Sequence, residues 1–147
     1  MMRIAIGCDH GGYAYKQKLT EHLRSQGHQV EDTGCHSLDS VDYPDYARLV
    51  SDIVAAGDAE RGILICRTGI GMSMTANKVQ GIRCALCAET VSARLTREHN
   101  DANVLAMGAA MIGYSLAEEI ADVWLSTEFL GGRHMRRVNK IMAAEAR

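Results

Sequence analysis

Apolar positions along this chain follow two alternating rhythms. Short aliphatic runs at residues 3–7, 62–66, 83–87 and 103–107 are β-prone, and 29–32 is a weaker run of the same kind. Longer stretches with helical spacing lie between them. Tyr15, Leu19 and Leu23 recur at i, i+4 and i+8. Tyr46, Leu49, Val50, Ile53 and Val54 mark a second apolar face, and Leu116, Ile120, Val123, Trp124 and Thr127 a third. Residues 91–98 read as a further helix, and 72–78 as the opening of another. Pro44, the only proline, suits the first turn of the second helix; Gly27 and Gly57 suit helix stops. Residues 131–147 read as a closing helix that extends past the body of the fold and is free to meet a partner.

Strands alternating with helices predict a parallel sheet of about five strands covered on both faces. The expected class is α/β, a Rossmann-like three-layer sandwich with an extended C-terminal helix. There is no internal repeat, low-complexity tract or linker, so residues 1–147 are expected to form one domain. In such a sheet, functional groups gather beyond the C-terminal ends of the strands. That rule places Gly7-Cys8-Asp9-His10 and the turn after Cys66 at one edge.

The Cys66 segment carries the strongest chemistry. A buried strand ends in a thiol, and Arg67, Thr68, Gly69, Ile70 and Gly71 form a glycine-rich turn into a helix. Backbone N–H groups of such a turn can stabilise a thiolate or an oxyanion. Cys66 could equally be a small buried hydrophobe. A dinucleotide fingerprint lacks its third glycine, since Met74 stands there, although Glu89 lies about where a ribose-binding acid would. A cysteine-phosphatase loop would need an arginine where Met72 stands, and that reading fails.

Cys84 and Cys87 have C-x-x-C spacing but no second ligand pair, and inside a strand they face opposite sides. Burial is the expected account of both. Asp9-His10 at a strand end can move protons near neutral pH, or can be a turn cap beside a surface histidine. His99-Asn100-Asp101 closes a helix. Arg133 and Arg137, one helical turn apart, share a face beside Gly131-Gly132, either as a solvated pair or as a phosphate clamp.

Composition narrows the classes. The chain has 147 residues, 47% hydrophobic and 23% charged, which fits one globular core. A net charge of −2 gives no general attraction to nucleic acid or anionic membrane. No apolar run approaches the ~20 residues of a membrane span, and the start lacks a signal-peptide pattern. Five cysteines without framework spacing favour free thiols and a cytoplasmic location.

Taken together, these segments resemble the ribose-5-phosphate isomerase B family, which also holds allose-6-phosphate and galactose-6-phosphate isomerases. The resemblance rests on Ile4-Ala5-Ile6-Gly7-Cys8-Asp9-His10-Gly11-Gly12, Asp42-Tyr43-Pro44, residues 62–71 and Ala76-Asn77-Lys78. It continues through Gly81-Ile82-Arg83, residues 99–106 and Gly131-Gly132-Arg133-His134 with Arg137. It implies a metal-free, cofactor-free aldose–ketose isomerase acting on a phosphorylated sugar. Cys66 would be the base that moves a proton through a cis-enediolate, and His99 the acid that opens the sugar ring. Asp9 and His10 would bind the sugar and Asn100 would orient it. Arg67, Thr68, Gly69, Ile70 and Gly71 would supply donors to the enediolate oxygen, and Arg133 and Arg137 would hold the phosphate. The absence of a glutamate at Met72 implies the cysteine-based type. Homodimers or homotetramers with shared active sites are implied as well.

Two positions depart from the family pattern. Arg67 replaces a small residue, and Ala110 stands where an arginine is common. The leading expectation is interconversion of ribose 5-phosphate and ribulose 5-phosphate. A hexose-6-phosphate isomerase and a sugar-phosphate-binding protein without turnover are the alternatives.

Overall fold

The computed structural model describes residues 1–146. Five strands form one parallel sheet in the order β2-β1-β3-β5-β4. They are β1 (Arg3–Cys8), β2 (Gln29–Asp32), β3 (Arg61–Cys66), β4 (Cys84–Leu86) and β5 (Val104–Gly108). The helices are α1 (Tyr13–Ser25), α2 (Tyr43–Ala55), α3 (Ile70–Ala76), α4 (Thr90–Asn100), α5 (Tyr114–Ser126) and α6 (Arg133–Ala143).

Strand alternation builds the two cores. Ile4, Ile6 and Cys8, Ile63 and Ile65, and Leu105 and Met107 face one side, where Leu19 and Leu23 of α1, Ala93 of α4 and Ile120 and Trp124 of α5 cover them. Ala5, Leu64, Cys66, Val104 and Ala106 face the other side, under Ala47, Val50 and Val54 of α2 and Met72 and Ala76 of α3. Right-handed crossovers require this partition. The steps from β1 to β2 and from β4 to β5 run one way along the sheet, those from β2 to β3 and β3 to β4 the other, so their helices land on opposite faces.

The same topology sets the place of the site. Between β1 and β3 the connections diverge to opposite faces, which opens a crevice beyond the strand ends. Cys8 pairs in register with Ile65, and Cys66 with Gly108, so the turns after β1, β3 and β5 emerge side by side.

Two polar clusters secure α1. Lys16 is fully buried and donates to Asp32 Oδ1 at 2.7 Å and to the Cys35 carbonyl at 2.6 Å. The chain beyond β2 is thereby held against the end of β1, where the Cys8 N–H donates to the Gly34 carbonyl (2.8 Å) and the Cys35 N–H to the Cys8 carbonyl (2.9 Å). Farther along, His22 lies between Glu118 and Asp122 of α5, with one ring nitrogen towards each at 3.3 and 2.9 Å.

The short runs read from sequence are all strands; the 29–32 run keeps its ends and the other four shift theirs. The 83–87 run contracts to Cys84–Leu86 because it is the sheet edge and Arg83 is turned into other bonds, donating to the Asn100 and Asp101 carbonyls. Gly27 and Gly57 follow α1 and α2 with φ of 93° and 82°. Helix α6 buries His134 and Val138 against the body, leaving Arg133 and Arg137 exposed.

Candidate active site

At the β1/β3 crevice, Asp9 closes a single 3-10 turn, His10–Gly12. Its Oδ1 accepts the N–H groups of Gly11 (2.9 Å) and Gly12 (3.2 Å), and Oδ2 has no partner among the described residues. The turn-capping account of Asp9 therefore holds for one oxygen and leaves the other free. His10 is exposed beside it, with Nδ1 accepting the Val41 N–H at 3.2 Å.

Cys66 ends β3 with only 5% of its surface exposed, and its Sγ accepts the Gly69 N–H at 3.1 Å. An N–H aimed at sulfur favours negative charge there. Gly69 takes φ of 78°, a left-handed conformation that glycine adopts without penalty. Thr68 Oγ1 accepts the Ile70 N–H at 3.2 Å. The turn is pinned from below, because the Ala109 N–H donates to the Cys66 carbonyl (2.8 Å) and the Ala110 N–H to the Arg67 carbonyl (2.9 Å). Arg67 is exposed, its side chain has no partner among the described residues, and its backbone lies against Gly11.

The ring of Tyr43, in the first turn of α2, occupies the space over Gly71 that any Cβ would fill. From sequence, Asp42-Tyr43-Pro44 reads only as a helix start; no spacing announces that this phenol meets the turn after Cys66.

The remaining cysteines differ in kind from Cys66. Cys8 and Cys35 are buried with sulfurs 3.8 Å apart, and burial pushes the Cys8 thiol far up. Burial raises Cys84 to about 12 and Cys87 to about 11, so both stay protonated and inert. Their side chains face the two opposite cores, as strand spacing predicts. Glu89, the candidate ribose acid, instead caps α4 by accepting the Ser92 N–H at 3.0 Å.

His99, Asn100, Arg133 and Arg137 form a second group elsewhere. Helix α4 runs back from the C-terminal end of β4 to the start of β5, so its last turn lies at the N-terminal edge of the sheet. There the His99 ring stacks on that of His134, with centroids 4.4 Å apart and planes 13° from parallel. The Leu130 N–H donates to the Glu98 carbonyl at 3.1 Å and fixes the start of α6 beside the end of α4. Arg133 and Arg137 are exposed and form no ion pair among the described residues. His134 is a site-adjacent residue that sequence spacing misses, since its partner lies on another helix.

The structure thus brings Asp9, His10, Cys66, Arg67, Thr68, Gly69, Ile70 and Gly71 together at one edge. It gathers His99, Asn100, Arg133 and Arg137 at the other. A family model described as Ribose/Galactose Isomerase matches residues 4–141. The chain belongs to that family. It is 48% identical to ribose-5-phosphate isomerase B of Escherichia coli over 147 residues, covering 100% of this chain and 99% of that one. Among solved structures it is similar to Clostridium thermocellum ribose-5-phosphate isomerase B, with a TM-score of 0.97, 50% identity and coverage of 99% and 98%. It is also similar to the Mycoplasma genitalium ribose-5-phosphate isomerase B with bound ribulose 5-phosphate, with a TM-score of 0.95, 42% identity and coverage of 98% and 96%. With these relatives the chain is an isomerase on the five-stranded α/β fold that they share. Among the described residues no helix is long and apolar enough to cross a membrane.

Proposed function

We propose that the protein interconverts ribose 5-phosphate and ribulose 5-phosphate in sites shared between two copies of the chain. The observation that carries this reading is the Gly69 N–H on Cys66 Sγ, at the crevice where the Asp9 turn also opens. His99 protonates the ring oxygen as the furanose opens. The Cys66 thiolate takes the proton from C2, leaving an enediolate across C1 and C2. A proton then passes from the C2 oxygen to the C1 oxygen, and Cys66 returns its proton to C1. The C2–H bond is too weakly acidic for a thiolate in water. Well-placed donors of the 67–71 turn lower that barrier by about 3–4 kcal/mol each.

Asp9 and His10 hold the sugar hydroxyls, Asn100 orients the chain of the sugar, and Arg133 and Arg137 bind the phosphate. These last groups, with His99, stand a strand's length from Cys66 of their own chain, about 17 Å at ~3.3 Å per residue. A second copy that brings its N-terminal sheet edge to the crevice completes the site, and two-fold symmetry then makes two such sites. Free thiols suit the reducing cytoplasm in which we place the enzyme.

The test is Cys66→Ala, assayed with ribose 5-phosphate and allose 6-phosphate side by side. The variant is expected to lose isomerisation and solvent deuterium exchange while still binding sugar phosphate. Cys84→Ala and Cys87→Ala should keep turnover nearly intact. Substantial turnover in Cys66→Ala would remove the thiol from the mechanism. A wild-type preference for allose 6-phosphate would move the assignment to hexose phosphates, and saturable binding without exchange would leave a binding protein.

A further inference from the structure

We propose that His134 is a positioning residue for ring opening, its stacked imidazole fixing the plane in which His99 meets the sugar. The inference rests on the reading of His99 given above. The two rings are nearly parallel, 13° apart, at a centroid distance of 4.4 Å. His134 is 9% exposed, and neither of its ring nitrogens has a hydrogen-bond partner among the described residues. The ring nitrogens keep contact with solvent, so no hydrogen bond sets the ring's place, and its flat face on His99 does.

Backbone bonds hold the stack from both sides. The His134 N–H donates to the Gly131 carbonyl at 3.1 Å, and Leu130 is tied to Glu98, the residue before His99. The ring of His99 therefore has little freedom to tilt without moving the start of α6. Charge also matters, because two stacked imidazolium rings repel. Desolvation holds His134 below the ordinary histidine range, and His99, Arg133 and Arg137 push it the same way, against a weaker pull from Glu98. An acid aimed by a rigid neighbour loses activity steeply when the neighbour is removed, since small misplacements are costly.

Ribulose 5-phosphate offers a clean separation of steps. With its carbonyl at C2 and phosphate on O5 it cannot close a furanose. Exchange of its C1 proton with solvent therefore proceeds without the ring step, whereas conversion of ribose 5-phosphate, taken up as a furanose, needs both ring opening and proton transfer. The experiment measures both in full-length His134→Ala, His134→Phe and His99→Asn proteins, with thermal melting and subunit mass as checks on folding. His134→Ala should lower kcat for conversion on the order of 10- to 100-fold, with KM and C1 exchange nearly unchanged. His134→Phe, which restores a flat uncharged ring, should recover most of the loss.

Unchanged conversion in His134→Ala would overturn the proposal. So would equal losses of conversion and exchange, or a phenylalanine variant no better than alanine. His99→Asn separates the two readings. If it too loses conversion but keeps exchange while His134→Ala is normal, only the role of His134 falls. If His99→Asn loses neither, the ring-opening role of His99 falls with it.

Discussion

Cys66 is set apart from the other four cysteines by the glycine turn that follows it. All but Cys84 are as deeply buried; the Cys66 sulfur accepts the backbone N–H of a glycine with positive φ, whereas burial pushes the Cys8, Cys84 and Cys87 thiols up. That distinction was half visible in the sequence. A strand ending in cysteine before Gly69 and Gly71 indicates a turn at a strand edge, but the donor that aims at sulfur depends on the left-handed twist at Gly69. Arg67 presents the opposite case. Its side chain is exposed and unpaired among the described residues, while its carbonyl is bonded to the Ala110 N–H. Positions 67 and 110 are therefore neighbours, so a cation at either one could reach the same anion. If Arg67 serves the substrate, Arg67→Gly should weaken kcat/KM and adding Ala110→Arg should restore it. Steady-state kinetics of the single and double variants decide this, and an unchanged Arg67→Gly would show that only its backbone matters.

At the scale of elements, alternation and helical period were legible because they are local consequences of burying one side. The ends were not. β4 lost Arg83 and Cys87 because an edge strand competes with the loops around it, and Arg83 is held by carbonyls at the end of α4. The Asp9 and Cys66 turns could be placed together from sequence, since parallel strands must share an edge. The location of His99 could not be read from spacing, because it depends on α4 running back across the sheet. Tertiary bonds also support the β1 end from which the Asp9 turn springs. Lys16 is fully buried, and Asp32 is its charged partner. Asp32→Ala should destabilise the fold by about 3 kcal/mol, because it strands a buried ammonium. Urea unfolding measures this, and a loss near zero would show that the Cys35 carbonyl alone suffices.

For the whole molecule, the proposed assembly makes each chain supply two half-sites from opposite edges of its sheet. The thiol half lies in the crevice that the strand order creates. The cationic half is built where α4 ends and α6 begins, and its arginines have no internal partners among the described residues. Charge left unpaired on a rigid helix face suits a phosphate arriving from outside the chain. Arg137→Ala removes one charge-assisted contact worth about 1.5–3 kcal/mol in ground and transition states alike. KM for ribose 5-phosphate should accordingly rise roughly 10- to 100-fold with kcat little changed; a fall confined to kcat would place Arg137 in the chemistry instead.

The central claim is that Cys66 of one copy works with His99 of another, and subunit mixing tests it most directly. Cys66→Ala and His99→Asn proteins, each inactive in converting ribose 5-phosphate, are unfolded together, refolded and assayed, with mass spectrometry confirming mixed dimers. Random pairing puts one intact site in each mixed dimer, so the account predicts recovery of about a quarter of wild-type activity. Mixed dimers that form and remain as inactive as their parents would contradict it.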